Sequence, residues 1–250
     1  MQFLRSNGFP CPEIYAIKDD KDHMALVDVS GLNPKTNEDD NKELCVDFTH
    51  AGLKSRTSNN FKWDILEFLN FDKYIGCFEE GEESRLMRNV HAAFVTNVKP
   101  HLQEFRFGTV HNDLNGENIL VTSPPYVVSG VFDFGDMVES VIISDLVNSM
   151  VYFMEGDRGM EFSGVLMAGY QSTFPLPAQE RKLLYYFVTA RLCQLVMYCQ
   201  SNLQDDPNHI EVQTSFKKYY GILRRVWRQT KDEVERIWSE SESKMISLVY

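Results

Sequence analysis

Three side chains in the middle of this sequence have the types and spacing for chemistry on a phosphate. The stretch TVHNDLNGENILV carries His111, Asp113 and Asn118 in the pattern H-x-D-x-x-x-x-N. Asp133 follows in VFDFGD, twenty residues after Asp113. Phosphoryl transfer needs an acceptor hydroxyl that is aligned and relieved of its proton, a magnesium ion bridging phosphates, and groups that grip the remaining charge. Asp113, on a loop between apolar strand-like runs, can accept the proton. Asn118 offers a neutral amide oxygen and Asp133 a charged one, a donor pair suited to octahedral Mg2+ completed by phosphates and water. His111 is read as a loop-holding residue rather than the base. A hydrolytic metal centre would need further histidines near His111. The nearest, His91 and His101, stand ten residues apart on the preceding helix and share no face.

The elements around these residues must hold them in place. Asp64–Ile75 and Glu83–Phe105 read as helices, the second with Leu86, Val90, Phe94 and Val98 recurring every four residues. A strand-rich block follows, with strands expected over Gly108–His111, Ile119–Thr122, Tyr126–Val128 and Val131–Asp133. After about Ile142 the pattern is helical: Val141–Phe153, Gln179–Cys199, Ile210–Trp227 and Lys231–Trp238, then a solvated acidic SESES segment. Cys193, Cys199, Trp227 and Trp238 read as core residues.

Composition bounds the partners. The chain has 250 residues with 43% hydrophobic and 12% aromatic, enough for a packed core. A net charge of −11 argues against nucleic acid or an anionic membrane as the main ligand. Five irregularly spaced cysteines without a CxxC pair point to no zinc site and no disulfide framework, hence to a reducing, cytoplasmic setting. Nothing in these numbers speaks to oligomeric state.

HNDLNGENIL, GVFDFGD and the following SDL together resemble the aminoglycoside phosphotransferase and choline kinase group, which has the protein-kinase-like fold. Protein kinases carry H-R-D-L-x-x-x-N, at the same spacing as His111 to Asn118; here Asp136 follows Gly135 with no activation segment or A-P-E. That departure points to kinases of small molecules. Within the group the chain resembles the hydroxylysine kinases, through FLRSNGFPCPEIY, NNFKWDILEFLNFDKYI, LQEFRFGTVHNDLNGENILV, GVFDFGDMVESVIISDLVNSMVYFM and ARLCQLVMYC, in that order.

The resemblance implies an α+β fold, mainly the helical C-terminal lobe of a kinase with a small strand-rich catalytic block over residues 61–250, and residues 1–60 as a remnant of the nucleotide lobe and hinge. It implies transfer of phosphate from GTP, with ATP left open, to the hydroxyl of 5-hydroxy-L-lysine. Asp113 is carried over as base, Asn118 and Asp133 as metal ligands, and Asp145 as a brace of the catalytic loop, though Asp145 also reads as a helix N-cap. An amino-acid or amino-alcohol substrate needs carboxylates for its ammonium groups and a cation for its carboxylate. Asp136, Glu139 and Arg191 are candidates, each also explained as a loop cap or an ion-paired residue.

A kinase of this kind also needs a glycine-rich phosphate loop and a strand lysine. No GxGxxG or GxxxxGK[ST] occurs in the 250 residues, and Lys18 in YAIK lacks a glycine-rich hairpin before it. The expectation is a catalytic lobe with most of its nucleotide lobe absent. The alternative to a working kinase is therefore an inactive kinase-like lobe acting as a binding module.

Overall fold

The structure, a computed structural model, describes residues 61–122 and 128–249, with only the backbone of 245–249. The reading of residues 1–60 as a nucleotide-lobe remnant, Lys18 included, lies outside the described residues.

A 3-10 stretch, Ile65–Lys73, opens the described chain. Asp64 caps it by accepting from the Leu66 N–H at 3.0 Å. Asn70 breaks the helical geometry at φ −95° and ψ 29°, so the helix expected over Asp64–Ile75 is a kinked 3-10 element followed by a short turn, Ile75–Cys77. Helix α1 then runs Glu82–Asn97 and buries Leu86, Val90 and Phe94 along the stripe read from the sequence. It stops short of the expected Phe105. Pro100 has no N–H to donate and its ring would clash with the carbonyl four residues back, so the chain re-forms as a 3-10 turn over Lys99–Glu104.

Four short strands follow in two antiparallel pairs. Strand β1, Phe107–Val110, pairs with β4, Val138–Val141. Strand β2, Ile119–Val121, pairs with β3, Val128–Val131. Of the strands expected over Tyr126–Val128 and Val131–Asp133, the described residues show one, Val128–Val131, which ends before Asp133; residues 126 and 127 lie outside the described residues. Arg106 anchors the entry to β1: its backbone N–H, Nε and Nη2 all donate to Glu180, which is fully buried.

Helix α2, Ile143–Tyr152, leaves β4 directly. Helices α3, Gly159–Thr173, α4, Ala178–Asp205, α5, Ile210–Arg228, and α6, Lys231–Val249, complete the described fold. Helix α4 is buried on most of its circumference because α1, α2 and α5 all pack on it, and Cys193 and Cys199 lie in that core. Helix α6 runs eleven residues past the expected end at Trp238. The SESES segment is helical because α6 packs along α3, with Trp238 and Ser241 turned inward. Trp227 packs on the core edge, half-buried. Among the described residues no helix is long and apolar enough to cross a membrane.

Candidate active site

The loop from His111 to Asn118 crosses from β1 to β2, and its geometry is set from below by α2. Half-buried Asp145, on the first turn of α2, accepts from the His111 N–H at 2.9 Å and the Asn112 N–H at 2.7 Å. Its carboxylate thus holds two consecutive peptide groups. Burial pushes the Asp145 carboxyl above the usual carboxylate range, and those two N–H donors, His111 and Arg191 act against that shift. One turn further, Asn148 donates to the Asn112 carbonyl and Ser149 donates to the Leu114 carbonyl at 2.8 Å. Residues 145, 148 and 149 face the loop together because they lie three and four apart on one helix.

Arg191 closes the floor from α4. It is 2% exposed, and it donates to the Trp63 carbonyl at 2.7 Å and to the Asn112 carbonyl at 3.4 Å. Burial pulls its guanidinium below the ordinary value, opposed by Tyr152, Asp113 and Asp136 nearby. The structure therefore places Arg191 beneath the loop, with Nη1 and Nη2 on main-chain carbonyls and Nε buried without a partner.

His111 ties the loop to the segment carrying Asp133. Its Nε2 lies 2.8 Å from the Phe132 carbonyl, and its Nδ1 accepts from the Asp113 N–H at 3.3 Å. A carbonyl only accepts and a peptide N–H only donates, so the ring proton is assigned to Nε2. Neither ring nitrogen is then open to a substrate. Phe134 lies against the same ring, with centroids 4.8 Å apart. The Phe132 N–H donates back to the Asn118 carbonyl at 3.1 Å. Asp133 is the next residue, exposed and left-handed at φ 57°, with Oδ1 accepting from the Gly135 N–H. Asn112 has φ 67°, and these are the two non-glycine residues with positive φ among those described. Asn and Asp tolerate that region best, and both lie on this site.

Asp113 is the focus of the loop. Its Oδ1 accepts from Asn115 Nδ2 at 3.1 Å and from the Tyr152 hydroxyl at 3.1 Å. Its Oδ2 accepts from Asn118 Nδ2 at 3.0 Å. Asn118 Nδ2 also donates to the Asp113 carbonyl, at 2.8 Å, so the amide nitrogen is committed and the amide oxygen is the end left for a cation. Desolvation raises the Tyr152 phenol to about 12, which keeps it a proton donor to Asp113 across the physiological range.

Tyr152 and Asn115 are absent from the residues singled out by sequence. Asn115 had a local signal, since an Asn-Gly pair marks a turn, and its Oδ1 caps the Glu117 and Asn118 N–H groups at 2.8 and 3.1 Å. Tyr152 had none: 39 residues separate it from Asp113. Asp136 ends the 3-10 turn that starts after Asp133, and Glu139 lies on β4 opposite Thr109. The loop network thus gathers His111, Asp113, Asn118 and Asp145, with Asp133 one residue beyond it. Glu139 belongs to the strand pair at the loop's base.

Among the described residues no three His, Cys, Asp or Glu side chains form a metal cluster. The oxygen donors at hand are one exposed carboxylate, Asp133, and one amide oxygen, from Asn118. They fit a hard cation that takes its other ligands from phosphates and water.

The sequence profile of the phosphotransferase enzyme family, APH, matches residues 1–183. The chain belongs to that family. Family relatives include hydroxylysine kinase from Danio rerio, 30% identical over 203 residues, covering 79% of this chain and 57% of the relative. Hydroxylysine kinase from Xenopus laevis is 30% identical over 216 residues, covering 82% of this chain and 58% of the relative. The chain thus spans under three fifths of the length of these relatives. Among solved structures, a microcompartment-associated aminopropanol kinase superposes with a TM-score of 0.65 at 17% identity, over 94% of this chain and 81% of that one. The fold is accordingly α+β and protein-kinase-like, mostly helical with few strands.

Proposed function

We propose that this chain is the catalytic lobe of a small-molecule kinase that transfers the γ-phosphate of GTP to the hydroxyl of 5-hydroxy-L-lysine. The observation that carries the reading is the Asp113 carboxylate. It is partly exposed, and three donors fill three of roughly four acceptor directions of an ionised carboxylate. The remaining direction, on Oδ2, is the position from which Asp113 accepts the proton of the substrate hydroxyl. Asn115, Tyr152 and Asn118 fix the carboxylate before substrate arrives, so little reorganisation is needed at the moment of transfer.

Asn118 Oδ1 and Asp133 would hold magnesium in this reading, and the ion would supply neutralisation of phosphate charge. His111 keeps Asp113 and Asp133 on one rigid unit, because it bonds the backbone beside each. Asp145 fixes the peptide groups of His111 and Asn112, which sets the direction in which Asp113 projects. Asp136 and Glu139 are the carboxylates offered to the substrate's ammonium groups. The hydroxylysine assignment rests on the named relatives and on the sequence resemblance, as does GTP over ATP. Unpaired thiols at Cys77, Cys193 and Cys199 fit a reducing cytoplasmic setting.

The second reading is an inactive kinase-like lobe that acts as a binding module. It is favoured by one observation: no glycine-rich phosphate loop occurs in the sequence. One assay separates the two. The full chain is incubated with magnesium, GTP or ATP, and 5-hydroxy-L-lysine, and phosphorylated product is measured. The kinase reading expects turnover that falls about 10²–10⁴-fold in Asp113→Ala, the range for loss of a general base. Absence of turnover, or turnover that survives Asp113→Ala unchanged, favours the binding module.

A further inference from the structure

A second cleft lies between the Ile65–Lys73 stretch and the C-terminal half of α4. It shares none of Asp113, Asn118 or Asp133, and it encloses about 130 Å³. Its walls include Trp63, Phe68, Tyr74 and Tyr198, with Glu67 and Gln194 as polar members. Trp63 and Tyr198 meet with ring centroids 4.3 Å apart and planes tilted by 59°, so together they form two sides of a corner.

A cation already sits in that corner. The Lys62 ammonium lies 4.6 Å from the Tyr198 ring centre and 5.3 Å from that of Trp63. Two tilted π faces attract an ammonium through their quadrupoles, more strongly as water is excluded. Lys62 is exposed, so its side chain can leave without unfolding anything. Glu67 also lines the cleft. It is only 3% exposed, and it accepts from Asn70 Nδ2 at 2.8 Å, Lys73 Nζ at 2.9 Å and the Tyr74 hydroxyl at 3.2 Å. Lys73 neutralises that carboxylate, so the preference for a cation comes from the aromatic corner itself. Apolar walls from Phe68 and Met197 suit an alkyl chain behind the charge.

We propose that this cleft binds the primary ammonium end of a small alkylamine, and that Lys62 occupies the aromatic corner in its place when the ligand is absent. Lys62 is then an internal competitor, which gives the site an unusual signature: removing a positive residue at its mouth tightens binding, while removing an aromatic wall weakens it. The site stands apart from the phosphotransfer reading and needs no catalytic activity to be tested.

The test is a titration of the full chain with n-pentylammonium, n-pentanol and pentanoate, followed by calorimetry and by tryptophan fluorescence. The expected result is saturable binding of n-pentylammonium alone. Tyr198→Ala weakens it by roughly tenfold. Lys62→Ala tightens it by about threefold, because the competing ammonium is gone. The same factor in Lys62→Gln separates competition from loss of side-chain bulk. Lys62 is exposed, so these two variants keep the test available should Tyr198→Ala unfold. No binding of n-pentylammonium overturns the proposal. So does equal binding of pentanol, which makes the cleft merely apolar, or preference for pentanoate, which makes Lys62 an anion ligand. Unchanged affinity in Tyr198→Ala, or weaker binding in Lys62→Ala, also overturns it.

Discussion

The loop that carries Asp113 and the α3–α6 helix pair are held by opposite means. Under the loop, the fold relies on polar groups: half-buried Asp145 and buried Asn148, Ser149 and Arg191 bond the main chain of residues 111–114. Between α3 and α6 it spends close packing. Trp238 is 2% exposed, its Nε1 donates to Ser163 at 2.9 Å, and a Cβ added at Gly164 would stand 2.9 Å from the Trp238 Cα. Directional bonds fix where a main chain points, whereas packing mainly fixes how firmly two helices adhere. On the proposed kinase reading, damage to the loop floor should therefore change phosphotransfer more than stability, and damage to the helix pair should do the reverse.

The largest effect on the packing side is Trp238→Ala, which should lower unfolding free energy by about 4 kcal/mol, the range for deleting a buried aromatic. Urea denaturation measures it. Any turnover should persist below the new melting temperature, and loss of turnover in folded protein would contradict the division drawn here. Asp145→Ala is the matching change under the loop. It leaves two buried N–H groups without their acceptor, at a cost of about 2–3 kcal/mol, and its effect on product formation should exceed that of Trp238→Ala when both are measured on folded protein. Equal losses in both variants would erase the contrast.

Gly164→Ala is smaller. The added methyl meets main-chain atoms of α6, and overpacking of this kind costs about 1–3 kcal/mol. Thermal melts should show it, with acceptor KM unchanged. The smallest effect is a pH dependence within the helical core. The His91 ring stacks on Phe71 at 4.4 Å, and burial holds its imidazole below the ordinary histidine value of 6.5. The unfolded chain therefore takes up a proton that the folded chain resists. Stability from this group is complete above 6.5 and is lost as pH falls toward the depressed folded value. His91→Phe should flatten that part of the stability–pH curve. A steeper curve in the variant would mean that His91 gains, rather than loses, proton affinity on folding.

Helix α5 was legible because its apolar residues recur with the helical period: it begins and ends within one residue of the expected Ile210–Trp227, whereas α3 had no assigned range and α4 and α6 run past their expected ends. The boundary at Pro100 and the kink at Asn70 were missed, because an apolar stripe continues across both while the backbone hydrogen bonds do not. At the loop, Asp113, Asn118 and Asp133 stand out in a motif whose spacing is local. Tyr152 and Asn148 do not, since their partners lie more than thirty residues away in the chain.

The order of residues along the chain was sufficient to name the three oxygen-bearing side chains and the family, because both depend on short spacings that a linear text preserves. The orientation of Asp113, the burial of Arg191 beneath it and the meeting of Trp63 with Tyr198 needed the folded molecule. Each depends on which distant segments α2 and α4 carry to the same place, and that is decided by packing of whole helices rather than by any neighbouring residue.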